Sequence, residues 1–141
     1  MPEFKLDNRL ARDGHYITDL PLCQLRLMDD ARFPWLVLIP RRHGVSEVTE
    51  LSGRDQRQLW QEATQAGELL KRCVPGDKLN IATLGNVVAQ LHLHVILRRR
   101  DDAAWPAPVW GHGEAEPYTS VQQADLGARL RNAAESMEWA V

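Results

Sequence analysis

Hydrophobic residues fall along the chain in two rhythms. Leu22 to Met28 and Trp35 to Ile39 are short apolar runs separated by Asp29-Asp30-Ala31-Arg32. The second run is almost wholly apolar, as in a strand buried on both faces. Pro40 stops it, and the pair predicts an antiparallel hairpin. The rhythm then changes. Leu59, Ala63, Ala66, Leu70 and Cys73 recur at three-to-four spacing, one face of a helix. Ser52 and Asp55 supply an S-x-x-D cap at its start, and Pro75-Gly76 ends it. Strands are predicted over Lys78 to Leu84 and Val87 to Leu97, joined at the Gly85-Asn86 turn signal. Trp105-Pro-Ala-Pro-Val-Trp110 suits neither helix nor central strand. A weaker helix follows over 121–138, with Leu126, Leu130, Ala133 and Met137 on one face. Strands, helix, strands and tail helix make an α+β fold: an antiparallel sheet with one long helix packed on it and a C-terminal helix. The 141 residues suit one domain, with a core over about 20–110 and a tail over 111–141.

Composition changes this picture little. The chain is 44% hydrophobic and 26% charged, ordinary for a packed domain. The net charge of -2 argues against a nucleic-acid binder, which shows a basic face. Arg98-Arg99-Arg100 is followed at once by Asp101-Asp102 and reads first as a solvated strand end. Cys23 and Cys73 form no CxxC pair and read as buried free thiols. The opening residues do not resemble a signal peptide, and no run approaches the ~20 apolar residues of a membrane span. A cytoplasmic protein with no membrane partner is expected.

The chemistry concentrates at Gln90-Leu91-His92-Leu93-His94-Val95. Residues two apart in a strand share a face, so Gln90, His92 and His94 form a polar row backed by an apolar one. Three readings fit such a row. It is a solvent face that happens to hold histidine, a metal site, or a site of phosphate chemistry. The metal reading lacks further ligands, since His15, His43 and His112 carry no ligand spacing.

The string from Gly85 to Val95 resembles the signature of the histidine triad (HIT) superfamily of nucleotide hydrolases and transferases. The run from Trp35 to His43, the helix after it and the Trp-Pro tail are similar too, so the likeness covers roughly residues 20–110. Within the superfamily it is most similar to bacterial HIT-domain proteins and diadenosine polyphosphate hydrolases, in a Gln-Leu-His-Leu-His variant. Gln90 stands where the first histidine of the triad is usual, and Asn86 where the turn has glutamine.

The resemblance implies attack by His92 on the α-phosphate of a dinucleoside polyphosphate or phosphoramidate, through a nucleotidyl-histidine. His92 and His94 are the implied catalytic pair. The tautomer of His92 should be fixed by an acceptor, such as a backbone carbonyl. Asp29, Asn86, Gln90 and His94 are the implied substrate-binding residues. Asp29 matches a ribose ligand, and Leu25, Leu27 and Leu36 are offered as an apolar wall for the base. His43, Thr83 and Trp105 follow as further site residues, with Trp110 beside Trp105. No metal or cofactor is called for. The implied partners are an adenosine-containing nucleotide and a second copy of the chain, for which Trp60 offers exposed surface. The alternative is a non-catalytic nucleotide-binding or interaction module that keeps the fold.

Overall fold

The computed structural model describes residues 3–141. Five strands form one antiparallel sheet: β1 (Gly14–Asp19), β2 (Cys23–Met28), β3 (Trp35–Pro40), β4 (Lys78–Ala82) and β5 (Leu93–Arg98). Their order across the sheet is β1-β2-β3-β5-β4. The helices are α1 (Asn8–Asp13), α2 (Gly53–Cys73) and α3 (Ser120–Ser136). The α+β architecture matches the expectation, and so does the β2–β3 hairpin. No helix among the described residues is long and apolar enough to cross a membrane.

The sheet has two unlike faces. On one, Leu25, Leu27, Leu36, Leu38, Leu93 and Val95 pack against Leu59, Ala63, Ala66 and Leu70 of α2 and Leu130 of α3. The other carries Trp35, Val37, Ile39 and Ile96, covered by Leu10 of α1, Phe33 and the tail residues Ala104 and Val109. Coverage on both sides explains why all six residues of β3 are buried.

Several local expectations need correction. β1 and α1 were not foreseen. β1 is an edge strand in which Ile17 alone is buried, so its sequence lacks clean alternation. α1 has six residues, too few for a periodic signal. Ser52 does cap α2 by accepting from Asp55 N–H, but the Asp55 carboxylate pairs with Arg42 at 2.7 Å instead of closing a box. β4 ends at Ala82 rather than Leu84, and β3 runs through Pro40.

The larger correction concerns β5, which begins at Leu93 and not at Val87. Residues 83–92 form a loop whose backbone groups are spent elsewhere. Leu91 N–H donates to Val45 O, and the Val87 and His92 carbonyls accept from Arg9 and Thr83. With those groups engaged, the segment has no ladder to extend.

Arg98 is also not a solvated strand end. It is 1% exposed, while Arg99 and Arg100 are exposed as expected. Its guanidinium pairs with Asp102 at 2.7 and 2.9 Å, bonds Asn80 Oδ1, and lies 5.5 Å from the Phe33 ring and 5.6 Å from that of Trp105. Asp102, held down to about 2 by that pairing, also accepts from the N–H groups of Arg99, Ala104 and Trp105. One buried ion pair thus anchors the irregular tail to the end of β5.

Candidate active site

The cross-strand register sets the site. Arg26 of β2 lies opposite Val37 of β3, and Val37 lies opposite His94 of β5. His94 therefore shares a sheet face with Val37, away from α2 and α3. The apolar partners Leu91, Leu93 and Val95 turn into the helical core, as the alternation predicts. A cleft of about 380 Å³ opens on the histidine face, within the range of small-molecule sites. It is lined by Met28, Trp35, Val37 and Ile39 of the sheet, by Leu10 and Asp13 of α1, and by the loop from Leu84 to Val88.

His92 and His94 both line this cleft, with ring centroids 4.9 Å apart and planes at 75°. Both are nearly buried, at 7% and 4% exposure, so a bare solvent-facing row is the wrong description. His92 Nδ1 lies 2.7 Å from the Gln90 carbonyl. A carbonyl only accepts, so Nδ1 carries the proton and Nε2 keeps its lone pair. His94 is fixed in the opposite sense. Trp35 Nε1 donates to His94 Nδ1 at 2.9 Å, which leaves the proton of the neutral ring on Nε2. Burial, assisted by the neighbouring His92, pushes the His94 pKa down to about 3. The pair thus offers one nucleophilic nitrogen and one uncharged N–H donor. Trp110 closes over them, its ring 5.1 Å from His94 and 5.9 Å from Trp35.

The other expected residues divide. Asn86 lines the cleft beside Gly85, whose φ of 73° is a backbone conformation that favours glycine. The Thr83 hydroxyl donates to the His92 carbonyl at 2.7 Å, so it steadies the backbone of that residue. Gln90 leaves the row. Its amide donates to Lys5 O and its oxygen accepts from Asp7 N–H, both at 2.8 Å, because β5 has not yet begun at that position. Asp29 lines an adjoining cavity that shares Met28, Trp35 and Trp110 with the cleft. There its carboxylate accepts from Tyr118 N–H and stands 3.1 Å from His15 Nε2.

His43 is exposed in a separate depression with Arg41 and Arg42. Trp105 packs on Arg98 rather than lining the cleft; Trp110 holds the position over the histidines. Leu25, Leu27 and Leu36 are fully buried against the helices, so the apolar wall comes from the alternate residues Val37, Ile39 and Met28. Trp35 as the partner of His94 was missed. It begins an all-apolar run, where an indole reads as core. Among the described residues, no group of three or more His, Cys, Asp or Glu is placed to hold a metal ion.

Comparison with known proteins places this geometry. The HIT domain family model matches residues 9–101, about two thirds of the chain. A histidine triad protein from Sinorhizobium meliloti 1021 is 48% identical over 92% of this chain and 96% of its own, with a TM-score of 0.89. One from Bradyrhizobium japonicum is 42% identical over 94% and 98%, at 0.90. One from Marinobacter aquaeolei VT8 is 42% identical over 97% and 100%, at 0.92. No curated protein matches.

Proposed function

The chain belongs to the HIT domain family, and from that premise we propose that it is a nucleotide hydrolase or nucleotidyl transferase. The observation that carries this reading is the 2.7 Å contact from His92 Nδ1 to the Gln90 carbonyl. It leaves Nε2 of a nearly buried imidazole as a lone pair facing a cleft of nucleotide size.

In the first step Nε2 attacks the α-phosphorus of a dinucleoside polyphosphate or a nucleoside phosphoramidate. The bond to the leaving group breaks and its electron pair departs with that group, a polyphosphate leaving as the anion and an amine after its nitrogen has taken a proton from water. The His94 Nε2–H donates to a phosphoryl oxygen as charge builds there, with Asn86 and the backbone N–H groups near Gly85 beside it. Water then attacks phosphorus. The N–P bond breaks, its pair returns to His92 Nε2, and one water proton passes to solvent. Adenosine-containing substrates, as for diadenosine polyphosphate hydrolases, are the class to test first. Asp29 binds ribose from the adjoining cavity in this scheme. The working form is a cytoplasmic homodimer; Trp60, 58% exposed on α2, and the free thiols of Cys23 and Cys73 fit it.

Wild type and His92→Ala are compared on diadenosine polyphosphate and an adenosine phosphoramidate. Turnover by wild type alone is expected, with a nucleotidyl adduct in the intact-protein mass after rapid quench. Equal turnover by both proteins removes His92 from the mechanism. Tight binding without turnover favours the module that binds nucleotide and does no chemistry.

A further inference from the structure

Arg26 lines the cleft with donors to spare. Its Nη1 donates to Gln24 Oε1 at 2.9 Å, and its Nη2 to the Ala11 and Gly14 carbonyls at 3.1 and 2.9 Å. A guanidinium has five N–H groups, so these three bonds leave two unused. One is on Nε, which is buried without a hydrogen-bond partner among the described residues. All its partners are neutral. Burial holds its pKa below the ordinary arginine range. Among the described residues no acid pairs with it, since Asp13 of the same cleft pairs with Arg12, and such a half-buried cation is costly unless a ligand completes it.

The register says what that ligand offers. Tyr16, Arg26, Val37 and His94 follow one another across four strands in a single row. Arg26 is therefore rooted two strands, roughly 10 Å, from His94 on the same face. Between them lies Val37, and Ile39, Leu10 and Met28 add apolar surface to the same cleft. A phosphate chain needs several donors and finds none on that surface, whereas a flat aromatic ring is at home there. With phosphate at the histidines, the ring that lies across Val37 presents its edge to Arg26.

The geometry points to Arg26 as the residue that reads the base: an unused guanidinium N–H donates to a ring nitrogen of a purine seated over Val37. The inference rests on the nucleotide reading above and assigns the side chain that would select a purine base there. A one-ring pyrimidine is shorter and leaves the donor unmet.

Calorimetric titration of wild type with adenosine monophosphate and its 1-deaza, 3-deaza and 7-deaza analogues tests this, since each analogue replaces one ring nitrogen by C–H. One analogue is expected to bind about tenfold or more weakly, the loss of a hydrogen bond from a charged donor. Arg26→Met is expected to bind adenosine monophosphate and that analogue alike. The variant also loses the bonds to Ala11 and Gly14, but a general loss cancels in the ratio. If Arg26→Met fails to fold, the guanidinium N–H resonances of wild type serve instead; the natural nucleotide shifts them and the analogue does not. Equal binding of all three analogues to wild type overturns the inference and leaves the proposed function standing. The same analogue loss in Arg26→Met overturns it too. So does a defect in Arg26→Met that grows with phosphate number from the mono- to the triphosphate, which marks a phosphate contact. Failure of wild type to bind any nucleotide overturns both readings.

Discussion

The two faces of one sheet are closed by different means. The helical face is sealed mainly by interlocking apolar side chains, with added polar ties from Arg131 to the Ile17 carbonyl and from Gln58 and Gln65 to the carbonyls of Ala140 and Glu138. One buried carboxylate joins them. Glu62 of α2 is fully buried, and its carboxylate accepts from the N–H groups of Leu22 and Cys23 at 2.8 Å and from Gln58 at 2.7 Å. The histidine face has no long helix over it. It is covered by short pieces of chain tied down by polar clasps: Arg98 to Asp102, Gln90 to residues 5 and 7, and Arg9 to Val87. Interlocking apolar surfaces leave no room for a ligand. Clasped segments stand apart between their fastenings, and the cleft lies in that space.

Substitutions at adjacent residues test this contrast most sharply. His92→Ala is expected to lower turnover by at least about 10³-fold with little change in melting temperature. Leu93→Ala, one residue on and facing the helices, is expected to cost about 2–5 kcal/mol in denaturant unfolding and to leave the rate of the folded fraction nearly intact. A large rate loss in Leu93→Ala without unfolding would show that the faces are not independent.

Next come the fastenings. Arg98→Met strands Asp102 and is expected to cost about 3–5 kcal/mol. It should also loosen the tail that carries Trp110, seen as a change in tryptophan fluorescence. Glu62→Leu leaves two backbone N–H groups without acceptors, at about 3 kcal/mol. Its emission should not change at matched folded fraction.

A smaller effect separates tuning from packing. Trp35→Phe keeps an aromatic lining but removes the donor to His94 Nδ1, so the ring is free to hold its proton on the wrong nitrogen. A roughly tenfold drop in kcat/KM is expected. The low pKa of His94, about 3, carries a sign for stability. Between pH 6.5 and 3 the unfolded chain holds a proton on this ring and the folded chain does not. Its contribution to stability is therefore full above pH 6.5 and falls as the pH drops toward 3. The same value leaves no His94 limb in the rate profile above about pH 4.

The smallest change is expected from Gln90→Ala. It should cost about 1–2 kcal/mol and raise amide exchange at residues 5–7, with chemistry at His92 altered only a few-fold. Restoring imidazole in Gln90→His should release the same segment. Protection equal to wild type in both variants would show that the clasp contributes nothing.

What the sequence revealed follows the same division. The helical face was readable because period and burial agree there: Leu59 to Cys73 and Leu91 to Val95 announce their own sides. His92 and His94 were readable because two imidazoles two residues apart are rare in a chain with five. The clasps were not. Gln90 looked like the first member of a strand row, since alternation continues past the point where pairing stops. Trp35 looked like core, and its N–H matters only because β3 brings it beside β5. Arg98 looked solvated because its charge cluster hid that it alone turns inward. Glu62 sat on an apolar stripe, between Leu59 and Ala63, with its partners some forty residues upstream. Apart from Arg98, whose partner Asp102 lies four residues on, each miss is a polar group whose partner is distant along the chain.

That distance bears on the order in which the molecule is made. The two Gln90 side-chain bonds span 83 and 85 residues. During synthesis residues 5–7 emerge long before the residue that fastens them, and closing so wide a loop early has no reward. The opening segment must therefore wait, unseated, until the strand that bears the histidines has been translated and docked. Residues 5–7 are thus made more than eighty residues ahead of their fastening and are among the last to find their place.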